Sequence, residues 1–294
     1  MKRRTFLLAT TILPLAAACT PRQPELSDTS SARTQLAQLE HALNGRLGVF
    51  ALNTADGSRL SYRENERFPM CSTFKVLLAS AVLDMSTRTA GLMQQRIRYA
   101  QSDLVNYSPI TEKNLENGMT VAELCGAALQ YSDNTSANLL MRLVGGPSAV
   151  TDYARSIGDR DFSLDRWETD LNTSLPGDER DTTTPESMGL SFQRLVLEDA
   201  LGADQRKQLR DWLIGNTTGA TRIRAAVPGD WQVGDKTGTG SNYGVANDIA
   251  ALWPPHREPA VCVVYTTQTA KDAKARSDVI ASAARIVVNW VGRK

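Results

Sequence analysis

The chain has little histidine: two residues, His41 and His256, in 294. His41 lies in an amphipathic stretch with Leu36, Leu39 and Leu43, and His256 follows Pro254-Pro255 in a turn, so each reads as a surface residue. This scarcity argues against a Ser-His-Asp triad. No cluster of His and Cys with metal-ligand spacing exists to hold a catalytic zinc, and no metal or organic cofactor is implied. An excess of one charge is also missing. The 33 Lys and Arg stand against 32 Asp and Glu, a formal net charge of +1 spread along the chain, with no basic footprint for nucleic acid. Beyond the N-terminal leader, no apolar run reaches the ~20 residues that a membrane span needs.

The leader itself joins Lys2-Arg3-Arg4 to an apolar run ending in Ala16-Ala17-Ala18-Cys19. Residues 1–18 read as a secretory signal and are set apart from the fold. Arg3-Arg4 with Phe6-Leu7 resembles a twin-arginine signal; adjacent arginines also occur in ordinary signals. Cys19 after three alanines resembles a lipoprotein cleavage site, which would tether the protein by lipid. Leu15 lies one position further upstream than that pattern wants, so ordinary cleavage after Ala18 is the alternative. Exported proteins often pair thiols, and Cys71, Cys125 and Cys262 are an odd number, leaving at least one free.

Roughly 270 residues remain, enough for one large or two modest domains. A Ser/Thr/Pro-rich linker, 19–33, precedes a helix from Leu36 to Leu43. Gly48–Asn53 and Arg59–Tyr62 form a hairpin around Asp56-Gly57. Helical periods dominate from about Cys71 to Trp212. Strand-like runs return at Trp231, Ile249 and Ala260, and a helix spans Ala273–Val291. The expected fold is α/β (α+β): an antiparallel sheet flanked by helices and built from both termini (34–64 and 215–294), with an all-helical domain (65–214) inserted. Gly238, Gly240 and Gly244 are spaced Gly-x-Gly-x-x-x-Gly with no helix pattern after them. That spacing fails as a dinucleotide loop and fits the bend of a sheet edge beside a ligand.

Four short polar clusters stand in order: Ser72-Thr73-Phe74-Lys75, Ser132-Asp133-Asn134, Glu168 with Asn172, and Lys236-Thr237-Gly238. After the first, Val76, Leu77, Leu78, Ala79, Ala81, Val82 and Leu83 predict a helix buried on most sides, opened by Ser72 near its free N–H groups. Lys75, one turn on, lies on the same face, and its buried amine should lose pKa and become able to take the serine proton. Taken alone, such a pair is an N-cap and a snorkelling lysine; the other clusters overturn that reading. Ser132-Asp133-Asn134 falls in a turn between the helical stretches Val121–Gln130 and Ala137–Leu143. Arg166 to Thr184 is a polar, turn-rich segment that reads as a closed surface loop. Within it Glu168 and Asn172 are spaced so that one helical turn aims both at a single water.

These clusters together resemble the class A serine β-lactamases, and the resemblance covers essentially all of the chain beyond the leader. It implies a Ser72 nucleophile, Lys75 beside it, Ser132 as proton shuttle to the leaving nitrogen, and Glu168 with Asn172 holding the water that hydrolyses the acyl-enzyme. The base for acylation is left between Lys75 and Glu168. Asn134, Thr239 and Tyr107 would bind substrate, and Lys236, helped by Thr237, its carboxylate. The backbone N–H groups of Ser72 and Thr239 would form the oxyanion hole. Asp133 would hold its turn, and Arg166 with Asp181 would pin the ends of the loop 166–181. Many members carry an arginine where this chain has Val245 or Ala246, and Arg222 is the matching substitute, with Arg224 structural. Family disulfides would need cysteines at Gly240 or Ala79, so neither forms.

The resemblance implies a monomeric periplasmic enzyme, with the lipid tether at Cys19 as an option, that hydrolyses penicillins and cephalosporins and confers resistance. Thr239 and Cys71 resemble members of broad activity, including carbapenem hydrolysers, while the missing cysteine at Gly240 counts against that extension. A penicillin-binding transpeptidase shares the serine and lysine motifs, and a β-lactam sensor shares the binding site. Glu168 and Asn172 argue against the first, and the lack of an attached transmembrane or transcription domain against the second.

Overall fold

The computed structural model describes residues 25–292. The signal segment and Cys19 lie outside them. In chain order the elements are α1 (Glu25–Leu43), β1 (Gly45–Asn53), β2 (Arg59–Tyr62), β3 (Phe68–Pro69), α2 (Lys75–Arg88), β4 (Arg96–Ile97), β5 (Met119–Thr120), α3 (Val121–Gln130), α4 (Asn134–Val144), α5 (Pro147–Ser156), β6 (Thr182–Thr183), α6 (Pro185–Val196), α7 (Ala203–Ile214), β7 (Gln232–Thr239), β8 (Ala246–Trp253), β9 (Ala260–Gln268) and α8 (Ser277–Gly292). Five strands form one antiparallel sheet in the order β2-β1-β9-β8-β7, and β3 with β6 and β4 with β5 make two small ladders. N- and C-terminal segments thus build the sheet together, as expected from the sequence.

Side-chain alternation along the strands divides the interior in two. Val49, Ala51, Cys262, Val264, Ala250 and Leu252 face α1 and α8. Phe50, Leu52, Val261, Val263, Tyr265, Ile249 and Ala251 face α6 and the helices between β2 and β7. α8 supplies Ile280, Ala283, Ala284, Val287, Val288 and Val291, the i, i+3, i+4 stripe of a helix laid on a sheet. α2 is buried along its whole first half, Lys75 to Leu83, so any charge it carries sits in the middle of the molecule.

The termini of elements differ from expectation. α1 starts at Glu25, inside the segment 19–33 read as a linker. Ser30, Ser31 and Thr34 occupy the solvent side while Ala32 and Leu36 are buried, and Arg33 bonds the Ser61 carbonyl at 3.0 Å, so tertiary contacts outweigh the weak helix propensity. β1 begins at Gly45, three residues before the expected start, because it pairs with β9 along its length, from Gly45↔Gln268 to Asn53↔Ala260. α8 starts at Ser277, four residues later than expected. The β1–β2 turn is as predicted: Gly57 takes φ +71, a left-handed conformation natural to glycine, and the Ser58 N–H bonds Asp56 Oδ1 at 2.9 Å.

Candidate active site

Ser72 lies in a 3-10 turn, Cys71–Phe74, that runs directly into α2, so the helix proper begins at Lys75 and not at the serine. Cys71, at φ +46, turns the chain into this entry. Lys75 is fully buried, and its three ammonium hydrogens meet three acceptors: the Ser132 carbonyl at 2.8 Å, Asn134 Oδ1 at 2.6 Å and Glu168 Oε1 at 3.0 Å. Burial lowers the Lys75 pKa, as expected, and the Glu168 carboxylate opposes the shift. Local spacing predicts that this amine meets the Ser72 hydroxyl. Ser72 Oγ instead donates to Glu168 Oε1 at 3.5 Å, the oxygen Lys75 also holds. The loop inserts the carboxylate between them, a contact across 96 residues that helix spacing cannot reveal.

Glu168 is clamped at its peptide by Asn138, which accepts from the Glu168 N–H at 3.0 Å and donates to its carbonyl at 2.9 Å. Its other carboxylate oxygen accepts from Asn172 Nδ2 at 2.5 Å. A 3-10 turn, Asp170–Asn172, brings the two side chains together in place of the expected α-helical turn. Asn172 Oδ1 is buried with no hydrogen-bond partner in the protein. The loop ends are tied as expected: Asp181, fully buried, accepts from Arg166 Nε at 2.5 Å and from the N–H groups of Asp165 and Arg166.

The Ser132 turn is shaped by Asp133. Its carboxylate caps α4 through Ser136 N–H and accepts from the N–H groups of Ile110 and Thr111 and the Thr111 hydroxyl. This anchors the 107–111 segment beside the turn, where Tyr107 is 56% exposed at the rim and its carbonyl accepts the Asn134 N–H at 3.0 Å.

The edge strand β7 closes the opposite side. Lys236, fully buried, donates to Ser132 Oγ at 3.1 Å and to the Thr237 carbonyl at 2.8 Å. Burial, reinforced by the Lys75 ammonium, brings its pKa down to about 7. Thr237 Oγ1 shares a hydrogen bond of 2.5 Å with Thr218 Oγ1. Arg222 reaches in from the chain before β7. Its Nη1 bridges the carbonyls of Gly238 and Asn247, Nη2 donates to Thr239 Oγ1, each at 2.7 Å, and Nε donates to Ser277 Oγ at 3.3 Å. Arg224 instead pairs with buried Asp235 at 2.6 Å and bonds the carbonyls of Leu213 and Ile214, a structural tie.

A cleft of about 450 Å³ lies between these elements, lined by Ser72, Tyr107, Ser132, Asn134, Asn172, Arg222, Thr237 and Thr239. Lys75, Glu168 and Lys236 lie behind the wall, each bonded to a lining residue. Every candidate residue named from the sequence is therefore at or directly behind one cavity. Asn106, Asn138, Thr169, Thr218 and Ser241 escaped the sequence reading. Asn138 alone had a signal, standing one helical turn after Asn134 on α4. His41 and His256 are exposed and remote from the cleft, and Cys71, Cys125 and Cys262 are free and buried. Among the described residues no group of three or more His, Cys, Asp or Glu could hold a metal, and no helix is long and apolar enough to cross a membrane.

The model of the beta-lactamase enzyme family matches residues 31–291. The chain is 53% identical over 264 residues to the carbapenem-hydrolyzing beta-lactamase KPC of Klebsiella oxytoca, covering 90% of each protein. It is 50% identical over 287 residues to beta-lactamase CTX-M-25 of Escherichia coli, covering 98% of this chain and 97% of that one. The crystal structure of a beta-lactamase from Desulfarculus baarsii superposes with a TM-score of 0.89 at 56% identity, covering 90% of this chain and 98% of the other. A buried serine–lysine–glutamate centre in this fold, with relatives at this identity along nearly the whole chain, makes the protein a member of the beta-lactamase enzyme family and a class A serine β-lactamase.

Proposed function

We propose that the enzyme opens the four-membered amide ring of penicillin-like and cephalosporin-like antibiotics through an ester on Ser72, and hydrolyses that ester with a water activated by Glu168. Lys236, Thr237, Thr239 and Arg222 receive the substrate carboxylate, while Asn134 and Tyr107 meet its acyl side chain. Ser72 Oγ attacks the ring carbonyl and its proton passes to Glu168 Oε1. Lys75, with its three hydrogens directed at acceptors, acts here as an ammonium that holds the carboxylate in line. The negative charge on the carbonyl oxygen is received by the N–H groups of Ser72 and Thr239. The ring C–N bond then breaks, and the nitrogen takes a proton from Ser132 Oγ, which borders Lys236; Ser132 recovers the proton that Glu168 took from Ser72, passed back through the buried lysines, so that Glu168 is again a carboxylate and Ser132 again a hydroxyl. In the second half, a water between Glu168 Oε2 and Asn172 Oδ1 gives its proton to Glu168 and attacks the ester, and Ser72 Oγ leaves with that proton, returned by Glu168.

The observation that carries this reading is the position of the Glu168 carboxylate. One oxygen is shared by the nucleophile and Lys75, and the other lies beside the buried, unpartnered Asn172 Oδ1. A general base contributes ~10²–10⁴-fold. Glu168→Ala should therefore stall ester hydrolysis more than ester formation, since Lys75, freed of the carboxylate that holds its charge, is left to accept the Ser72 proton, and a penicillin adduct with the mass of the intact drug should build up on Ser72. Turnover at the wild-type rate would refute the assignment. The cleft is complete within one chain, so the proposed chemistry needs no second copy. The leader supports export to the periplasm, with a lipid tether on Cys19 or plain cleavage after Ala18 as its two outcomes.

A further inference from the structure

Ser174 joins three parts of the site at one hydroxyl. It is buried two residues after Asn172, with φ +55. Its Oγ donates to the Asn172 carbonyl at 3.1 Å. A hydroxyl has a single hydrogen to give, so the 3.8 Å contact with Cys71 Sγ runs the other way, from thiol to Oγ. Burial pushes the Cys71 thiol up to about 12, which keeps its hydrogen in place. On the third side lies the end of β7, where a Cβ built on Gly240 would stand 2.6 Å from Ser174 Oγ. The neighbourhood is strapped to the sheet: the Asn172 carbonyl also accepts the Ser241 N–H at 2.8 Å, and Asn242 Nδ2 donates to the Thr173 carbonyl at 3.0 Å.

We infer that Ser174 is a positioning residue for hydrolysis of the ester: its hydroxyl fixes the Asn172 peptide, and through it the amide that holds Glu168 Oε2. This rests on the Glu168–Asn172 reading above. Asn172 meets the carboxylate oxygen that bonds neither Ser72 nor Lys75, so disturbing it acts on the second half of the reaction and spares the first. That asymmetry has a kinetic signature. With a substrate whose ester hydrolysis limits turnover, slowing that step lowers kcat and KM by the same factor and leaves kcat/KM, which ends with ester formation, unchanged.

The test is steady-state kinetics and intact-protein mass spectrometry on Ser174→Ala and Ser174→Gly, with Glu168→Ala alongside. Glycine accepts the left-handed backbone without strain, so loss of the hydroxyl is separated from any conformational cost. Both variants should lose about threefold to tenfold in kcat, the value of one hydrogen bond. KM should fall in parallel and the adduct on Ser72 should become more populated. An unchanged kcat, or a loss of kcat and kcat/KM together at constant KM, overturns the inference, the latter showing that Ser174 merely supports the fold. If Glu168→Ala accumulates adduct while the Ser174 variants behave as wild type, only the role of Ser174 is lost. If Glu168→Ala accumulates none, the reading beneath it fails as well.

Discussion

Arg222 offers a sharp test of the cleft. Its guanidinium has five N–H groups, and four are directed at the carbonyls of Gly238 and Asn247, Thr239 Oγ1 and Ser277 Oγ. One hydrogen on Nη2 remains for a ligand, and because Thr239 Oγ1 accepts from Arg222, its own hydrogen is free to point into the cleft. A substrate carboxylate there would gain one charge-assisted hydrogen bond, a contact whose loss costs ~1.5–3 kcal/mol. Arg222→Ala should therefore lower kcat/KM for a penicillin about tenfold to a hundredfold. The same change leaves two buried strand carbonyls short of a donor, so some loss of stability must be told apart from loss of binding. The assay compares a β-lactam with its methyl ester, which removes the carboxylate charge, in wild type and variant, with Tm recorded for both proteins. The wild type should prefer the free acid strongly and the variant much less. If the variant retains the full preference, or loses activity equally on acid and ester, Arg222 is a strut between β7 and β8 and not a carboxylate receptor.

Three further outcomes follow from the geometry. Lys236, lowered to about 7 in the free enzyme, carries its charge below that pH and loses it above, so kcat/KM for anionic substrates should decline on the alkaline side with an apparent pKa near 7; a profile flat to pH 9 would show that an intact ammonium there is not required. Asp181→Ala breaks a buried ion pair and removes the acceptor for two loop N–H groups. It should destabilise the fold by about 3 kcal/mol in urea denaturation and slow ester hydrolysis, whereas a loss below about 1 kcal/mol would mean that the loop is held elsewhere. Cys19→Ala should move the enzyme from the membrane to the soluble periplasmic fraction, and a wild-type protein already soluble there would decide for plain cleavage after Ala18.

The sequence by itself determined the candidate residues of the site and what kind of fold holds them. Periodicity marked the buried α2, the turn at Ser132-Asp133-Asn134 and the strands that follow Trp231, because burial and turn geometry are imposed locally on the chain. The scarcity of histidine argued against a Ser-His-Asp triad before any contact was known. Tertiary structure decided how these residues are wired. Local spacing paired Ser72 with Lys75, yet Glu168, arriving from a distant loop, takes the hydroxyl's hydrogen bond and one of the lysine's three donors. The clamp of Asn138 on the Glu168 peptide, the bridge of Arg222 between β7 and β8, and the start of α1 at Glu25 likewise come from contacts across 30, 16 to 25, and 28 residues. Such contacts leave no period in the sequence. They exist only once the sheet from the two termini and the helices between them have closed on one another, and that closure fixes the direction of each hydrogen bond in the site.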